Sequence, residues 1–428
     1  MADRPELMAI GDSIYNGTRS LTTNAELALN APPAQVARAF GWDFQAPDYP
    51  FDVLFNLETI FRTGDFSIGH LKAAILANVQ RWRDLGRWSN ADAFDNLAIA
   101  QTTIADQASF TYNNNVSQIP DLVTAIRGAS GFGFLKPTVA LYEALNSSFL
   151  LNPSNDASGP WADKTPLEIV GLRRPKRLLV NIGVNDGVWT ICLEARKDGF
   201  DPDAIATDMH DLGVRLHDMK AAGQVDNIYL NLIPKPSCIA NLMPRTDPSK
   251  PPAGNGYFPE YLGRLGQLGG LTGAEMQAVD ESILSLNRRI HDDLAELFED
   301  TGGLAFVDTY GLVAARDDKH FRDTAPIWVR GKRMNNLPLT RLGILGHKGG
   351  LYSLDNLHPT TVGYAALAQQ VCAQIQSVEG IGPIHPIDLQ DAFDRDSLLT
   401  DIPRGLAVQT LLINLVVAFA SLGRRATV

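Results

Sequence analysis

Three short blocks of this chain carry residue types that can do chemistry together. The first, Gly11-Asp12-Ser13, ends an apolar run, Leu7-Met8-Ala9-Ile10. A serine hydroxyl becomes a nucleophile once a neighbouring base takes its proton. The same tripeptide is also an ordinary turn. The second block is Gly183-Val184-Asn185-Asp186-Gly187. Asn185 can aim a side-chain amide at a developing oxyanion, an interaction worth about 3 kcal/mol. An Asn-Asp-Gly turn is the plainer alternative. The third block is Asp355-Asn356-Leu357-His358-Pro359-Thr360. Asp and His three apart on one turn can bring a carboxylate to an imidazole, which fixes the tautomer and stabilises the imidazolium. The imidazole can then act as base toward a serine. A helix start with a chance histidine would fit that block taken alone.

These blocks must be placed by regular elements, and the elements are legible. Leu7–Ile10, Phe94–Ala100, Arg177–Ile182, Asn227–Ile233 and Leu304–Val307 are short apolar runs bounded by Gly or Pro or by helical patterns. Runs apolar on both faces suit a parallel sheet covered by helices. Met276, Val279, Ile283, Leu286, Ile290, Leu294 and Leu297 recur at helical spacing, with a Thr272/Glu275 capping box before them and Gly302 after. Ile205, Met209, Leu212, Leu216 and Met219 make a second stripe, ended by Gly223. Alternating helix and strand predicts a doubly wound α/β fold, a three-layer sandwich on a mostly parallel five-stranded sheet. Residues 14–93, rich in aromatics, and the Pro/Gly/Ser/Asn-rich stretches 152–166 and 244–259 lie outside that rhythm and read as insertions.

The three blocks, in this order and at the ends of these elements, resemble the SGNH, or GDSL, hydrolase family of esterases and lipases. Gly11-Asp12-Ser13 matches its nucleophile block, with Ile14 for the usual leucine. Gly183-Val184-Asn185-Asp186 matches its Gly-x-Asn-Asp block, and Asp355-x-x-His358 its last block, including the following proline. The family's remaining block is an Asn a few residues before a Gly. Asn96-Leu97-Ala98-Ile99-Ala100 fits the approach, but Gln101 stands where the glycine belongs. The resemblance implies a flavodoxin-like fold and serine acyl transfer. Ser13 would be the nucleophile, His358 the base and Asp355 its orienting carboxylate. The Ser13 N–H, Asn185 and the Gln101 N–H would be oxyanion donors, supported by Gly11, Asp12, Asn96, Gly183 and Asp186. It implies a small-molecule or lipid-like ester substrate and no cofactor or metal. The hydrolase domain would span 1–385, with large helical insertions at about 14–93, 105–170, 236–270 and 310–350, and 386–428 would be a C-terminal extension.

Composition narrows the alternatives. The 428 residues carry a net charge of −11, which argues against a nucleic-acid partner. Cys192, Cys238 and Cys372 are too few for a disulfide framework, and no leader pattern precedes the first strand, so a cytoplasmic protein is expected. His210 and His217 read as solvated, and no His-x-x-x-His spacing points to a metal. Asp388, Asp391, Asp394 and Asp396 read as a solvated acidic stretch. The aromatics of 14–93 serve either as a cap over an acyl chain or as an extra layer with its own core. The apolar segment 405–422 fits a helix docked on the body, a self-association surface or a membrane-surface contact. Two other functions compete with an acyl esterase. One is a carbohydrate O-acetyl esterase, with Trp82, Trp88, Trp161, Tyr257 and Tyr261 stacking on sugars. The other is a non-catalytic hydrolase-like binding protein, supported by Gln101.

Overall fold

The computed structural model describes residues 4–64, 67–244, 256–263, 266–321, 324–341 and 347–403. Its centre is a parallel sheet of four strands, β1 (Leu7–Gly11), β2 (Arg177–Asn181), β3 (Asn227–Asn231) and β4 (Leu304–Val307), hydrogen-bonded in that order. Gly11 stands opposite Asn181, so the first two strands end level with one another.

Alternation along the strands sorts the core into two halves, because successive side chains leave a strand on opposite faces. Leu7, Ala9, Leu179, Tyr229 and Val307 pack against α2 (Pro32–Phe40) and α7 (Thr361–Glu379), through Val36, Phe40, Leu367, Val371 and Ile375. Met8, Ile10, Leu178, Val180, Ile228 and Leu230 face the other way. There they meet α5 (Pro202–Ala221) and α6 (Gly273–Leu297), through Met209, Leu212, Ile283 and Ile290. Each fully buried aliphatic side chain contributes roughly 1.5–3 kcal/mol, so both helical layers are strongly held. The predicted Thr272/Glu275 capping box is present; the α5 stripe and the Ile283–Leu294 part of the α6 stripe pack in the sheet's core, while Met276 and Val279 pack with Tyr261 and Leu271.

The expected fifth strand, Phe94–Ala100, is not a regular strand. It runs beside β1 with a single parallel bridge, Ala9 to Asn96. Three backbone bonds of 2.8 Å hold it there: Ala9 N to Asp95 O, Leu97 N to Ala9 O and Ile99 N to Gly11 O. Its outer edge is satisfied by other means. Asp95 N donates to Gln45 O, the Asn96 side chain accepts from Ala98 N, and the Asn16 amide donates to Ala98 O. Those local bonds take up groups that a further strand would need.

The insertions differ in kind. Residues 14–93 and 105–170 are helical, as expected, with α3 (Leu135–Leu151) the longest piece in the second and α4 (Pro166–Arg173) leading into β2. The stretch 236–270 instead holds an antiparallel sheet built from Leu242–Met243, Glu260–Gly263 and Gly266–Thr272. The stretch 310–350 carries a hairpin, Ile327–Val329 with Lys332–Met334. The aromatics of 14–93 extend the main core: Trp82 lies 5.6 Å from Trp88 and 5.4 Å from Phe149, ring centre to ring centre, in the same cluster as Met8 and Ile10. Trp82, Trp88 and Tyr261 are buried and present no face to a sugar. Among the described residues no helix is long and apolar enough to cross a membrane. The apolar segment 405–422 lies outside the described residues.

Candidate active site

The site grows from the carboxyl end of β1. Gly11 takes φ 135°, and a Cβ there would sit 2.0 Å from the Asn181 carbonyl oxygen, so only glycine lets the two strands close at this point. The chain then turns into a one-turn helix, α1 (Ser13–Asn16), capped by Asp12. Asp12 Oδ1 accepts from Ile14 N at 3.0 Å and from Asn181 Nδ2 at 2.7 Å. Burial pushes the Asp12 carboxyl up to about 6, against those hydrogen bonds and the nearby His358, and its Oδ2 is buried with no partner among the described residues. Ser13 therefore occupies the first helical position, where a backbone N–H has no acceptor within the helix. Its N–H makes no hydrogen bond among the described residues.

The third block arrives from the far end of the chain. His358 Nε2 lies 2.9 Å from Ser13 Oγ, and His358 Nδ1 lies 2.8 Å from Asp355 Oδ2. A serine, an imidazole and a carboxylate thus form one hydrogen-bonded series, all three buried. With Nδ1–H donated to the Asp355 carboxylate, Nε2 is free to accept the serine proton. Asp355 is further held by Leu357 N, His358 N and the Ser353 hydroxyl on Oδ1, and by Leu21 N on Oδ2. Burial alone would raise its pKa. The charge and hydrogen bond of His358, with the backbone donors, outweigh it and leave the carboxyl below its usual range. The Trp189 ring stands 5.9 Å from the imidazole and covers one side of it.

The second block bends between Gly183 (φ 109°) and Gly187 (φ 101°). Asn185 Nδ2 donates one of its two protons to Thr102 O at 2.9 Å, which fixes the amide beside the 96–102 segment. Asp186 does not reach the serine. Both its oxygens accept from Ile104 N, at 3.2 and 3.3 Å, and burial pushes its carboxyl up to about 7. Gln101 adopts φ 76°, the left-handed conformation that glycine enters at no cost. The departure from the Asn…Gly pattern therefore falls on a position whose backbone still takes the glycine shape. Its side-chain amide points to Val139 O at 3.5 Å. Asn96 is fully buried and donates to Tyr15 O at 2.7 Å, while Asn16 donates to Ala98 O at 2.8 Å. These two asparagines tie the serine turn to the 96–101 segment.

Sequence reasoning missed several supporting residues. Thr102, which aims Asn185, gave no signal because a backbone carbonyl does the work. Asn181 and Asn231 form a buried ladder under Asp12, 2.8 Å apart and continued by Tyr15 at 2.9 Å. Asn residues at the ends of two parallel strands were its only trace. The acidic run was misjudged in part. Asp394 pairs with Arg330 at the surface and Asp391 with Arg395, but Asp396 is fully buried. It joins Arg19 at 3.2 Å and accepts from Thr361 N at 2.7 Å. Its partner is hundreds of residues away, so local composition could not reveal it. His210 and His217 make exposed contacts with Asp293 and Asp300.

No curated protein and no solved structure matches the chain. The family profile described as GDSL-like Lipase/Acylhydrolase matches residues 7–371, from the first residue of β1 into the middle of α7, and so includes all three blocks. The chain therefore belongs to the GDSL-like lipase/acylhydrolase family and is a hydrolase acting on esters.

Proposed function

We propose that the protein is a serine carboxylic ester hydrolase working through an acyl-enzyme. The observation that carries this reading is the series Ser13 Oγ, His358 Nε2 and Nδ1, and Asp355 Oδ2, with links of 2.9 and 2.8 Å. Ser13 Oγ attacks the ester carbonyl while His358 Nε2 takes its proton. Asp355 stabilises the imidazolium so formed. The oxyanion is held by the Ser13 N–H, the second proton of Asn185 Nδ2 and the Gln101 N–H. Collapse expels the alcohol, which receives the proton from His358. Water, deprotonated by the same histidine, then releases the acid. Asp12, Asn96, Gly11 and Gly183 shape the turns, and Asp186 braces the 102–104 segment. The 94–100 edge supports a flavodoxin-like five-stranded reading of the sheet, in which β1 and β2 flank the point where strand order reverses. Ligands bind at such a crevice, beyond the carboxyl ends of the strands.

The test uses nitrophenyl esters of two to sixteen acyl carbons with the wild type and Ser13→Ala, together with labelling by a fluorophosphonate. Hydrolysis and labelling are expected in the wild type and neither in the variant. Equal hydrolysis by both proteins removes Ser13 from its role. A folded wild type that takes no label favours the non-catalytic alternative.

A further inference from the structure

Beside the triad lies a cavity of about 110 Å³. Ile14, Val184 and Pro359, which line it, are the chain neighbours of Ser13, Asn185 and His358. The opposite wall is apolar, with Leu312 and Val313 from the short helix Thr309–Ala314 and Leu351 facing them. One charged side chain lines this space, that of Arg316.

Arg316 is half-buried and is unlike the fully buried cations Arg19 and Lys319. Arg19 is paired bidentately with Glu58, and Lys319 is bonded to two carbonyl oxygens. Arg316 donates from Nη1 to Leu312 O at 2.9 Å, and its Nε is buried with no partner. Among the described residues no carboxylate pairs with it. Asp317, next along the chain, is already bound by His320 and the Asn336 amide. Burial lowers the pKa of the guanidinium with no anion to offset it. A guanidinium carries five N–H donors in a planar fork that matches a carboxylate. In a chain with 48 acidic residues, a guanidinium on an apolar cavity is short of an anion that the described residues do not supply.

We propose that this cavity is a substrate subsite, and that Arg316 selects esters carrying a short arm that ends in a carboxylate. The inference rests on the ester-hydrolase reading above and names its substrate class. A water molecule takes about 30 Å³ of liquid, so the cavity holds an arm of roughly four non-hydrogen atoms. The carboxylate on Arg316 and the methylene next to it fill the cavity, and the arm's remaining one or two methylenes span from there to the ester at Ser13. Arg316 is a specificity-determining residue in this account and takes no part in bond making.

The test compares monomethyl glutarate with methyl pentanoate, and 4-acetoxybutanoate with butyl acetate, by pH-stat assay of the wild type, Arg316→Lys and Arg316→Met. These pairs place the anion on the acyl and on the alcohol side. The wild type is expected to favour the anionic member of one pair by about tenfold or more in kcat/KM, the scale of one desolvated charge-assisted contact. Arg316→Met removes that preference and leaves the neutral ester within about twofold. Arg316→Lys keeps part of it. A wild type that prefers neither anionic ester, or an Arg316→Met variant with unchanged ratios, overturns the proposal. Calorimetric binding of monomethyl glutarate to Ser13→Ala, lost in Ser13→Ala/Arg316→Met, reads the subsite without turnover. It separates failure of the subsite from failure of the hydrolase reading.

Discussion

Replacing Asp355 by Asn tests the site at its most constrained atom pair. Oδ1 of Asp355 accepts from Leu357 N, His358 N and the Ser353 hydroxyl, and Oδ2 from Leu21 N and His358 Nδ1. An Asn has one acceptor oxygen and one donor amide. The oxygen must stay with the three donors, so the NH2 group faces Leu21 N–H and His358 Nδ1. Two consequences follow from that orientation. The Leu21 N–H is left buried without an acceptor, which costs roughly 1–3 kcal/mol of stability. His358 moves its proton to Nε2 so that Nδ1 can accept from the new amide. Nε2–H then faces Ser13 Oγ and cannot take its proton. The expected loss in kcat is about 10³–10⁴-fold, or roughly 4–5.5 kcal/mol of barrier. The assay is kcat on a short nitrophenyl ester, with thermal melting to confirm a folded protein. The substitution also removes an acid whose folded pKa lies below its unfolded value. Its stabilising contribution, present above pH 3.8 and lost as pH falls through the lower folded pKa, disappears. A folded Asp355→Asn protein within tenfold of the wild type would refute the assigned tautomer and with it the role of His358.

Three further perturbations probe other parts of the site. Gln101→Gly relieves a left-handed side-chain-bearing residue at a cost in unfolded-state entropy, so stability changes by no more than about 1 kcal/mol. The backbone N–H is kept, so kcat/KM on short esters stays within about threefold, and a tenfold fall would assign the work to the side-chain amide instead. Asp186 holds a proton up to about pH 7 when folded but only to 3.8 when unfolded, so its contribution to stability is full below pH 3.8 and is lost as pH rises toward 7. Denaturant titrations of Asp186→Asn between pH 4 and 7 should show a flatter pH dependence than the wild type, and identical slopes would contradict that burial effect. Arg19→Met leaves the buried Glu58 and Asp396 carboxylates uncompensated, and equilibrium unfolding should report a loss of roughly 3–5 kcal/mol. A change below 1 kcal/mol would mean that the pair adds nothing to the fold.

The sheet and its two main helices were legible because they obey simple periods: apolar runs on both faces for β1 to β4, and a 3.6-residue stripe for α5 and α6. The Ser13 and His358 blocks stood out in the sequence because Gly11 ends β1 two residues before Ser13 and Pro359 follows His358 just ahead of α7. What could not be read is whatever depends on bonds between distant segments. Phe94–Ala100 has strand-like composition, yet Asn96 and Asn16 spend their amides on its backbone and leave only one bridge. The 236–270 insertion reads as a helical insertion in the sequence because its strands are short and glycine-rich, and its core depends on Tyr261 meeting Phe258 and Met276. Asp396 looked like one of four solvated acids because its cation, Arg19, lies near the other end of the chain.

That last pairing ties a C-terminal segment to the turn that follows Ser13. Arg19-Ser20-Leu21-Thr22 is a tight turn closed by Arg19 N to Thr22 O and Thr22 N to Arg19 O, at 3.0 and 2.9 Å. Both central residues are left-handed, Ser20 at φ 53° and Leu21 at φ 54°, without being glycine, asparagine or aspartate. Such residues cost on the order of 1–3 kcal/mol each and persist where their surroundings hold them. The conformation turns two N–H groups toward Ser353 and Asp355. Ser20 N donates to the Ser353 hydroxyl at 2.9 Å and Leu21 N to Asp355 Oδ2 at 2.8 Å. What holds the strained turn is Arg19, clamped by Glu58 through two bonds and by Asp396 and the Ser397 hydroxyl. Asp396 in turn caps the short helix Ser397–Thr400 and accepts from the first N–H of α7, three residues after His358. The carboxylate beside the histidine is thus fixed from both ends of the chain, through a buried cation held between two carboxylates. Relaxing the turn would free Leu21 N–H from Asp355 and leave the carboxylate one donor short at the oxygen that holds the imidazole.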